Sequence, residues 1–552
     1  MAESTSIEAR PHNGQDDYMS PRPRKPTTRI DLLKPQLSDE SMRRHLEAAS
    51  SGVSSGTSTP IPADAPPSVQ ATSSARRQIR AEQKRRMFPT IEYVDRVSHF
   101  DPASDYHDFR GFFVLFWIGL AIMVLTSMLR QVKETGYPFQ ITQWDLFKEK
   151  LWEVGLVDGA MVGSTAVALP LQKLFLHGTG PLRWGRLGMA IQSIYQVFWL
   201  SFWCTYPFIR DWSWTAQVFF TLHLLAIFMK MHSYAFYNGH LSETLRRLNE
   251  LDHPSTGTSK AAAVRYPHSR THLHELPQSP SKSEPDAANQ ESLRQLREDL
   301  AFELSSPLGR VSYPENLNLS NWVDYIFCPT LCYELEYPRV AYIRPLEVFY
   351  KALAVFGCIF LMVITTEEFI LPVLDESAEA LHHSKNGVDF SLILAETIGR
   401  LLFPFMITFL LTFLVIFEYI LGAFAEITRF ADRQFYADWW NSCDWLEFSR
   451  EWNIPVHHFF RRHVYSASRH ALSRPLATLT TFLISALAHE LVMGCITRKF
   501  RGYGFCAMML QMPIVIVQRS AWVRGRTLLN NVLFWCSMVL GLSMMCALYV
   551  LV

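Results

Sequence analysis

The residue of this chain best placed for chemistry is a histidine inside an apolar segment. His489 lies in residues 476–496, a run long enough to cross a bilayer. An ionisable ring is costly at that depth, so such a residue is a candidate functional site by default. Thr478, Thr481 and Ser485 precede it at helical spacing. The four side chains are therefore predicted to share one face of a transmembrane helix.

Two interpretations of this polar stripe fit the spacing. The hydroxyls and the ring can form hydrogen bonds that join neighbouring helices. Alternatively, the neutral ring can act as a base for a reaction inside the membrane. A zinc protease is excluded, because His489 and Glu490 begin the zincin motif but Met493 stands where the second histidine is required.

Charge balance and cysteine spacing narrow the class of protein. The 552 residues include 52 Lys and Arg against 51 Asp and Glu, and 49% are hydrophobic. Without a basic excess, nucleic acid is not an expected partner. The nine cysteines show neither CxxC pairs nor Cys/His zinc spacing. We therefore predict reduced thiols, no disulfide framework and no metal site.

Apolar and polar segments divide the chain. Residues 1–88 are rich in Ser, Pro, Thr and Arg and predict a disordered cytosolic tail. Residues 89–552 are predicted to form one membrane domain, with a polar mobile loop at about 246–312 that contains a helical candidate at 294–303. About nine apolar runs predict an all-α, polytopic membrane protein with about nine transmembrane helices. The runs are residues 112–128, 157–176, 187–208, 214–229, 348–366, 391–427, 476–496, 503–517 and 528–552.

Basic residues beside these runs predict which side of the membrane each polar segment faces. The basic residues in 76–86 place the N-terminus in the cytosol, and successive crossings then place residues 246–312 and 429–475 there too. The basic residues in 498–501 disagree, because they would be lumenal. Residues 391–427 would form a helix roughly 55 Å long, so this run must tilt, kink at its proline, or extend beyond the membrane.

The segment before the histidine helix combines aromatic, acidic and basic side chains. Residues 435–441 read Phe-Tyr-Ala-Asp-Trp-Trp-Asn, and residues 459–463 read Phe-Phe-Arg-Arg-His. Such a mixture suits a helix at the membrane surface. It equally suits an anionic ligand with a ring, because guanidinium groups bind phosphate and aromatic rings stack on purines. Coenzyme A is a ligand of this second kind.

Several motifs resemble the membrane-bound O-acyltransferases, and within them the branch of sterol and diacylglycerol acyltransferases. The resemblance covers roughly residues 109–552 and is closest to fungal sterol acyltransferases at residues 229–239. The other matching motifs are Phe-Tyr-x-Asp-Trp-Trp-Asn at 435–441, Trp-Asn-Ile-Pro-Val-His at 452–457, Ser-Ala-Leu-Ala-His-Glu at 485–490, and residues 329–333 and 337–339.

This resemblance implies a reaction chamber inside the membrane, location in the endoplasmic reticulum, and assembly into homo-oligomers, dimers or tetramers. It implies acyl-CoA as a co-substrate from the cytosol, a sterol from among the membrane lipids, and no cofactor. His489 corresponds to the family's catalytic histidine and Asn441 to its partner asparagine. The residues expected to contact substrate are Phe435, Tyr436, Asp438, Trp439, Trp440, Arg461, Arg462 and Ser485.

The expected reaction transfers a fatty acyl group from acyl-CoA to the 3-hydroxyl of a sterol. His489 would take the hydroxyl proton, and Asn441 or Ser485 would orient the reactants or stabilise the oxyanion. A covalent acyl-serine on Ser485 is the less favoured route, because no third residue can be assigned to orient the ring. Glu490 points about 100° away on a helix and is not expected to bond the ring directly.

Two other functions remain open. Diacylglycerol in place of the sterol would give a triacylglycerol-forming enzyme. A transporter is the alternative from another class, because polar residues inside spans and a proline-interrupted helix fit one. A transporter predicts two halves with matching breaks, which the sequence does not show. It also leaves the aromatic and basic segment unexplained.

Overall fold

Helices build the part of the chain that the structure describes, and three isolated β-bridges within it form no sheet. The predicted tail, residues 1–88, lies outside the described residues, as does most of the loop at 246–312. Of that loop, residues 246–252 complete a long helix and residues 296–303 are helical. This computed structural model describes residues 91, 93–101, 104, 110–139, 149–252, 294, 296–306, 309–520, 523 and 525–552.

Six helices, α1 to α6, build the first half of the described chain, and α5 is the longest of them. Their bounds are α1 Arg110–Thr135, α2 Leu151–Ser164, α3 Ala168–His177, α4 Met189–Ile209, α5 Trp214–Asp252 and α6 Leu319–Phe327. The apolar run at 157–176 is divided between α2 and α3 by a 3₁₀ turn at Thr165–Val167. Pro170 explains the division, because a proline is tolerated in the first turn of a helix but not in its interior.

The second half contains the helix of the candidate histidine, α14. The bounds are α7 Pro345–Thr365, α8 Leu371–His382, α9 Gly387–Phe413, α10 Leu421–Ile427, α11 Trp445–Glu451, α12 Ile454–Phe459, α13 Ala467–Arg469, α14 Arg474–Thr497, α15 Tyr503–Gln518 and α16 Thr527–Leu551. Three joints are π-helical: Thr366–Ile370, Leu414–Ile420 and Phe460–Ser466. The long run at 391–427 thus stays helical past Pro404 and changes its winding only at Leu414–Ile420.

Seven helical stretches among the described residues are long and apolar enough to cross a membrane. They are Gly111–Thr135, Leu151–His177, Trp214–Asp252, Pro345–His382, Gly387–Ile427, Arg474–Thr497 and Thr527–Leu551. The other two predicted runs correspond to α4, which buries Gln192 and Gln196, and to α15, which has 16 residues. The all-α, multi-pass prediction is confirmed, whereas the number nine stays a prediction.

A buried carboxylate fixes the chain where α10 ends. Glu426 has no exposed surface, and its Oε2 lies 3.0 Å from Arg344 Nη2 and 2.5 Å from Arg433 Nη1. A buried charge is tolerated only when it is paired and hydrogen-bonded. The two ion pairs hold the start of α7 and the segment leading to residues 435–441 against the end of α10.

Gly239 allows α5 to approach the turn before α4. A Cβ atom at Gly239 would lie 2.2 Å from the indole of Trp184. We expect Gly239→Ala to lower the melting temperature and the monodisperse fraction after detergent extraction, because overpacking costs typically about 1–3 kcal/mol. Gly357→Ala is the control, since no heavy atom lies within 4 Å of its Cβ position. Equal melting temperatures for the two variants would contradict this packing.

Candidate active site

His489 presents one defined ring nitrogen for chemistry. Its Nδ1 lies 2.7 Å from the carbonyl oxygen of Ser485, one helical turn earlier, and its side chain is exposed. A carbonyl oxygen can only accept, so Nδ1 must donate and carries the proton of the neutral ring. The lone pair is therefore on Nε2. The hydrogen bond within α14 supplies the orientation and tautomer that a general base needs.

The polar stripe does not join α14 to its neighbours through the contacts that the structure describes. Thr478 donates to the Arg474 carbonyl and Thr481 to the Ala477 carbonyl, each within α14. His489 follows the same pattern. The described contacts therefore do not support the interpretation that these groups serve to hydrogen-bond helices together. The contact between Ser485 and His489 uses the serine's backbone carbonyl rather than its hydroxyl, which favours direct transfer over an acyl-serine.

Glu490 points away from the ring, as helical spacing predicts. Its carboxylate accepts hydrogen bonds from the backbone N–H of Gly502 at 2.7 Å and of Phe505 at 3.1 Å. These are unpaired donors at the N-terminus of α15, where a carboxylate is favoured. Tyr549 of α16 donates to the same carboxylate at 2.7 Å. The residue after His489 thus connects α14, α15 and α16 and limits rotation of the histidine helix.

Asn441 ends the 3₁₀ turn Trp439–Asn441, and its side chain is exposed. The backbone around it is held by α16. Asn531 donates to the carbonyls of Trp440 and Ser442, both at 3.0 Å, and Trp535 also donates to Trp440. Sequence reasoning missed Asn531, although a polar residue inside the apolar run 528–552 was the same signal that identified His489.

The structure does not bring Asn441 and His489 into hydrogen-bonding contact. Both are described, and no hydrogen bond joins their side chains. The Asn441 loop contacts α16 at Asn531, whereas the residue after His489 contacts α16 at Tyr549. Those two positions are separated by about 27 Å along a helix axis. The two candidate residues are therefore anchored towards opposite ends of α16.

Most aromatic side chains of the 435–441 motif form core rather than a ligand surface. Phe435, Tyr436 and Trp439 are buried, and Trp440 is half-buried. Trp439 packs edge-on against Trp452, with 4.9 Å between ring centroids. Buried rings cannot stack on a ligand base, so these residues shape the loop that presents Asn441. Asp438 keeps a side chain 44% exposed.

The two arginines predicted to bind phosphate differ in environment. Arg461 is exposed and forms no ion pair with a described residue. Arg462 is buried: its Nη1 lies 2.8 Å from Glu334, and its guanidinium lies 4.5 Å from the ring centroid of Tyr237. A guanidinium neutralised in this way is unsuited to binding a phosphate. The geometry favours Arg461 as the phosphate-binding residue and Arg462 as part of the scaffold.

The histidines near these arginines are neutral at physiological pH. Burial, with the positive charge of Arg461 as the second cause, lowers the pKa of His457 to about 4. Burial first, and then His457, lower the pKa of His458 to about 4. His463 contacts the hydroxyl of Ser233 in α5 at 2.8 Å, and burial lowers its pKa well below the usual range. Positive charge for an anionic ligand therefore comes from the arginines.

Seven described helical stretches are long and apolar enough to cross a membrane, and one of them carries the candidate residue His489. The sequence model of the membrane-bound O-acyltransferase (MBOAT) family matches residues 190–551. The chain belongs to the membrane-bound O-acyltransferase family.

Several relatives carry the names of individual enzymes. The chain is 39% identical over 450 residues to "Probable sterol O-acyltransferase 2" of Schizosaccharomyces pombe, covering 80% of this chain and 87% of that relative. It is 34% identical over 501 residues to "Sterol O-acyltransferase 2" of Candida albicans, covering 84% and 78%. Similarity to "Diacylglycerol O-acyltransferase 1" of Dictyostelium discoideum is 35% over 257 residues, covering 46% and 40%.

The different surroundings of the two arginines predict different phenotypes. Arg461→Glu should raise the Michaelis constant for acyl-CoA about 3- to 10-fold, with less effect on turnover and a smaller effect at high salt. Arg462→Met should instead reduce the yield of folded protein, because it leaves Glu334 buried without its partner, at a cost of about 3–5 kcal/mol. Steady-state kinetics and size-exclusion profiles would measure both. A folded Arg462→Met protein with only a raised acyl-CoA Michaelis constant would reverse the assignment.

Proposed function

We propose that this chain transfers a fatty acyl group from acyl-CoA to the 3-hydroxyl of a sterol, forming a steryl ester. The observation that carries the proposal is the hydrogen bond from His489 Nδ1 to the Ser485 carbonyl. It leaves Nε2 as a base on a helix long enough to span the membrane, where a lipid alcohol can reach it. The sterol O-acyltransferases among the relatives, matched over at least 80% of this chain, support the sterol as acceptor.

In the proposed reaction, His489 Nε2 takes the sterol hydroxyl proton while the oxygen attacks the thioester carbonyl. The resulting tetrahedral oxyanion collapses to the ester, the carbon–sulfur bond breaks, and the imidazolium returns the proton to the CoA thiolate. Donors aimed at the oxyanion lower the barrier most in a site that excludes water. The Ser485 hydroxyl, one turn before His489, is a candidate donor. No separate cofactor is needed for this chemistry.

The proposal gives Asn441 a role that differs from that of His489. Its exposed amide lies on a loop fixed by two hydrogen-bond donors from α16, Asn531 and Trp535. A rigid amide suits an extended acyl-CoA, whose pantetheine and thioester groups offer carbonyl oxygens. Because Asn441 is anchored far from His489, we propose that it binds the pantetheine part of acyl-CoA and so aligns the extended substrate along the path to His489. Arg461 would attract the phosphates of the same molecule, as an exposed guanidinium suits a phosphate group.

We also propose nine crossings around an intramembrane chamber, with α4 and α15 completing the seven long spans. Residues 429–475 then face the cytosol, where acyl-CoA is available. The basic residues at 498–501 become lumenal, and two of them have partners. Arg498 pairs with Asp211 at 3.2 Å, and Lys499 donates to the Tyr549 carbonyl at 3.5 Å. Location in the endoplasmic reticulum and assembly as a homodimer or homotetramer complete the proposal.

The proposed base and its partner have distinct expected phenotypes. His489→Ala should lower turnover at least about 10²-fold without loss of membrane insertion, because alanine removes the base but suits an apolar helix. Asn441→Ala should lower turnover about 100-fold, because acyl-CoA displaced by about 1 Å presents its thioester poorly to His489. A rise in the acyl-CoA Michaelis constant alone would limit Asn441 to binding. Thr480→Ala, on the opposite face of α14 from His489, is the control. Wild-type turnover in His489→Ala at matched protein level would refute the base.

A single assay in which a sterol and diacylglycerol compete for the acyl group identifies the acceptor. Purified protein given radiolabelled oleoyl-CoA with equal amounts of ergosterol and diacylglycerol should form mainly steryl ester. A rigid ring system and two flexible acyl chains need differently shaped sites, so one acceptor should dominate. Thin-layer chromatography separates the two products. Triacylglycerol as the main product would establish the second candidate, diacylglycerol acyltransfer, and would leave the role of His489 intact.

A further inference from the structure

A segment just before the first membrane helix runs alongside the 435–441 motif. Residues 93–100, named here the strap, precede α1 and contact residues 430–440 in matching order. The backbone of Arg96 accepts from Arg433 N at 2.8 Å and donates to the Ala431 carbonyl at 3.2 Å. These two bonds form a parallel bridge between Arg96 and Asp432. More than 300 residues separate the two segments in sequence.

Side chains continue the pairing beside that bridge. Arg96 binds Asp432 with two nitrogens, at 2.9 and 2.6 Å, and donates to Gln434 at 3.1 Å. A bidentate arginine–carboxylate pair fixes orientation as well as distance. Tyr93 at the start of the strap packs edge-on against Phe430, with 5.7 Å between centroids. The beginning of the strap is therefore held in one register.

The end of the strap reaches the residues next to Asn441. Ser98 contacts the Tyr436 hydroxyl at 3.0 Å, and both hydroxyls donate to the buried carboxylate of Glu418 in Leu414–Ile420. His99 Nε2 lies 3.0 Å from Asp438 Oδ1, and its ring stacks on Tyr436.

Phe100 packs near Trp440, with 6.3 Å between ring centroids. The contacts thus advance along the motif as far as the residue before Asn441. Asn441 itself donates its backbone N–H to the Asp438 carbonyl at 2.9 Å. The contact of His99 with the Asp438 side chain therefore acts on the turn that carries Asn441.

We propose that the strap positions Asn441 for acyl transfer, with His99 as the positioning residue that holds Asp438. His99 acts through Asp438 and the 3₁₀ turn rather than by touching substrate. The strap lies outside residues 190–551, which match the family, and outside the motifs found in the sequence. The inference rests on the proposed function, because it assigns a role to Asn441 in that reaction.

The physical reason is that a 3₁₀ turn of three residues cannot fix an exposed amide by itself. From one side, α16 holds the carbonyls of Trp440 and Ser442. From the other side, the strap holds Asp438. With both contacts, the backbone on each side of the Asn441 amide is restrained. A displacement of about 1 Å at a substrate-positioning group can cost about 100-fold in rate.

The test compares two replacements of His99. His99→Phe keeps a ring to stack on Tyr436 but removes the nitrogen that contacts Asp438, whereas His99→Gln retains an amide donor. We expect His99→Phe to lower turnover about 10- to 100-fold with an unchanged sterol Michaelis constant and melting temperature. His99→Gln should recover most of the turnover. His177→Phe, at an exposed histidine that ends α3, is the matched control.

The outcomes separate this inference from the proposed function. Unchanged turnover in His99→Phe, or a turnover loss explained by a lower melting temperature, would overturn the role of the strap. Additive effects of His99→Phe and Asp438→Asn would also overturn it, because residues in contact should show coupling. Wild-type protein that forms no steryl ester would instead refute the acceptor, and the strap would then be tested on the ester that forms.

Discussion

Buried carboxylates in Leu414–Ile420 and at the end of α10 are the constraint on which the site depends. Glu426 has no exposed surface and is paired with Arg344 and Arg433, and Glu418 accepts from Ser98 and Tyr436. Burying these charges without partners would cost several kcal/mol each, so the start of α7, the strap and the 435–441 motif cannot move independently. The free-energy cost of burying these carboxylates is offset by their partners. Those partners are brought together only when the three segments adopt this one arrangement.

A second constraint concerns the histidine helix. The polar side chains Thr478, Thr481 and His489 bond their own helix, so α14 is oriented mainly by Glu490 at the start of α15 and by packing against α5 and Phe460–Ser466. An acidic residue beside the proposed base thus acts on the base indirectly. Its separation from the ring also matters, because a carboxylate bonded to Nδ1 would raise the basicity of the ring and favour the charged form.

The two candidate residues are presented by different means. His489 is fixed by secondary structure, one turn from its hydrogen-bond acceptor. Asn441 lies on a short irregular segment that depends on tertiary contacts from α16 and from the strap. Substitutions far from Asn441 in sequence can therefore change its geometry, whereas His489 tolerates distant changes that leave α14 intact. This difference arises because a 24-residue helix repeats its backbone hydrogen bonds along its whole length, whereas a 3₁₀ turn of three residues forms only a few.

Sequence alone determined the all-helical membrane architecture and the position of His489, because apolar run length and helical spacing are local properties. It also predicted that Glu490 turns away from the ring. Local pattern could not distinguish Arg461 from Arg462, since Glu334, the partner that buries Arg462, lies far away in the chain. Nor could it assign Phe435, Tyr436 and Trp439 to the core, or connect His99 with Asp438. Only the tertiary structure decided these points, because burial and ion pairing depend on which distant segments meet.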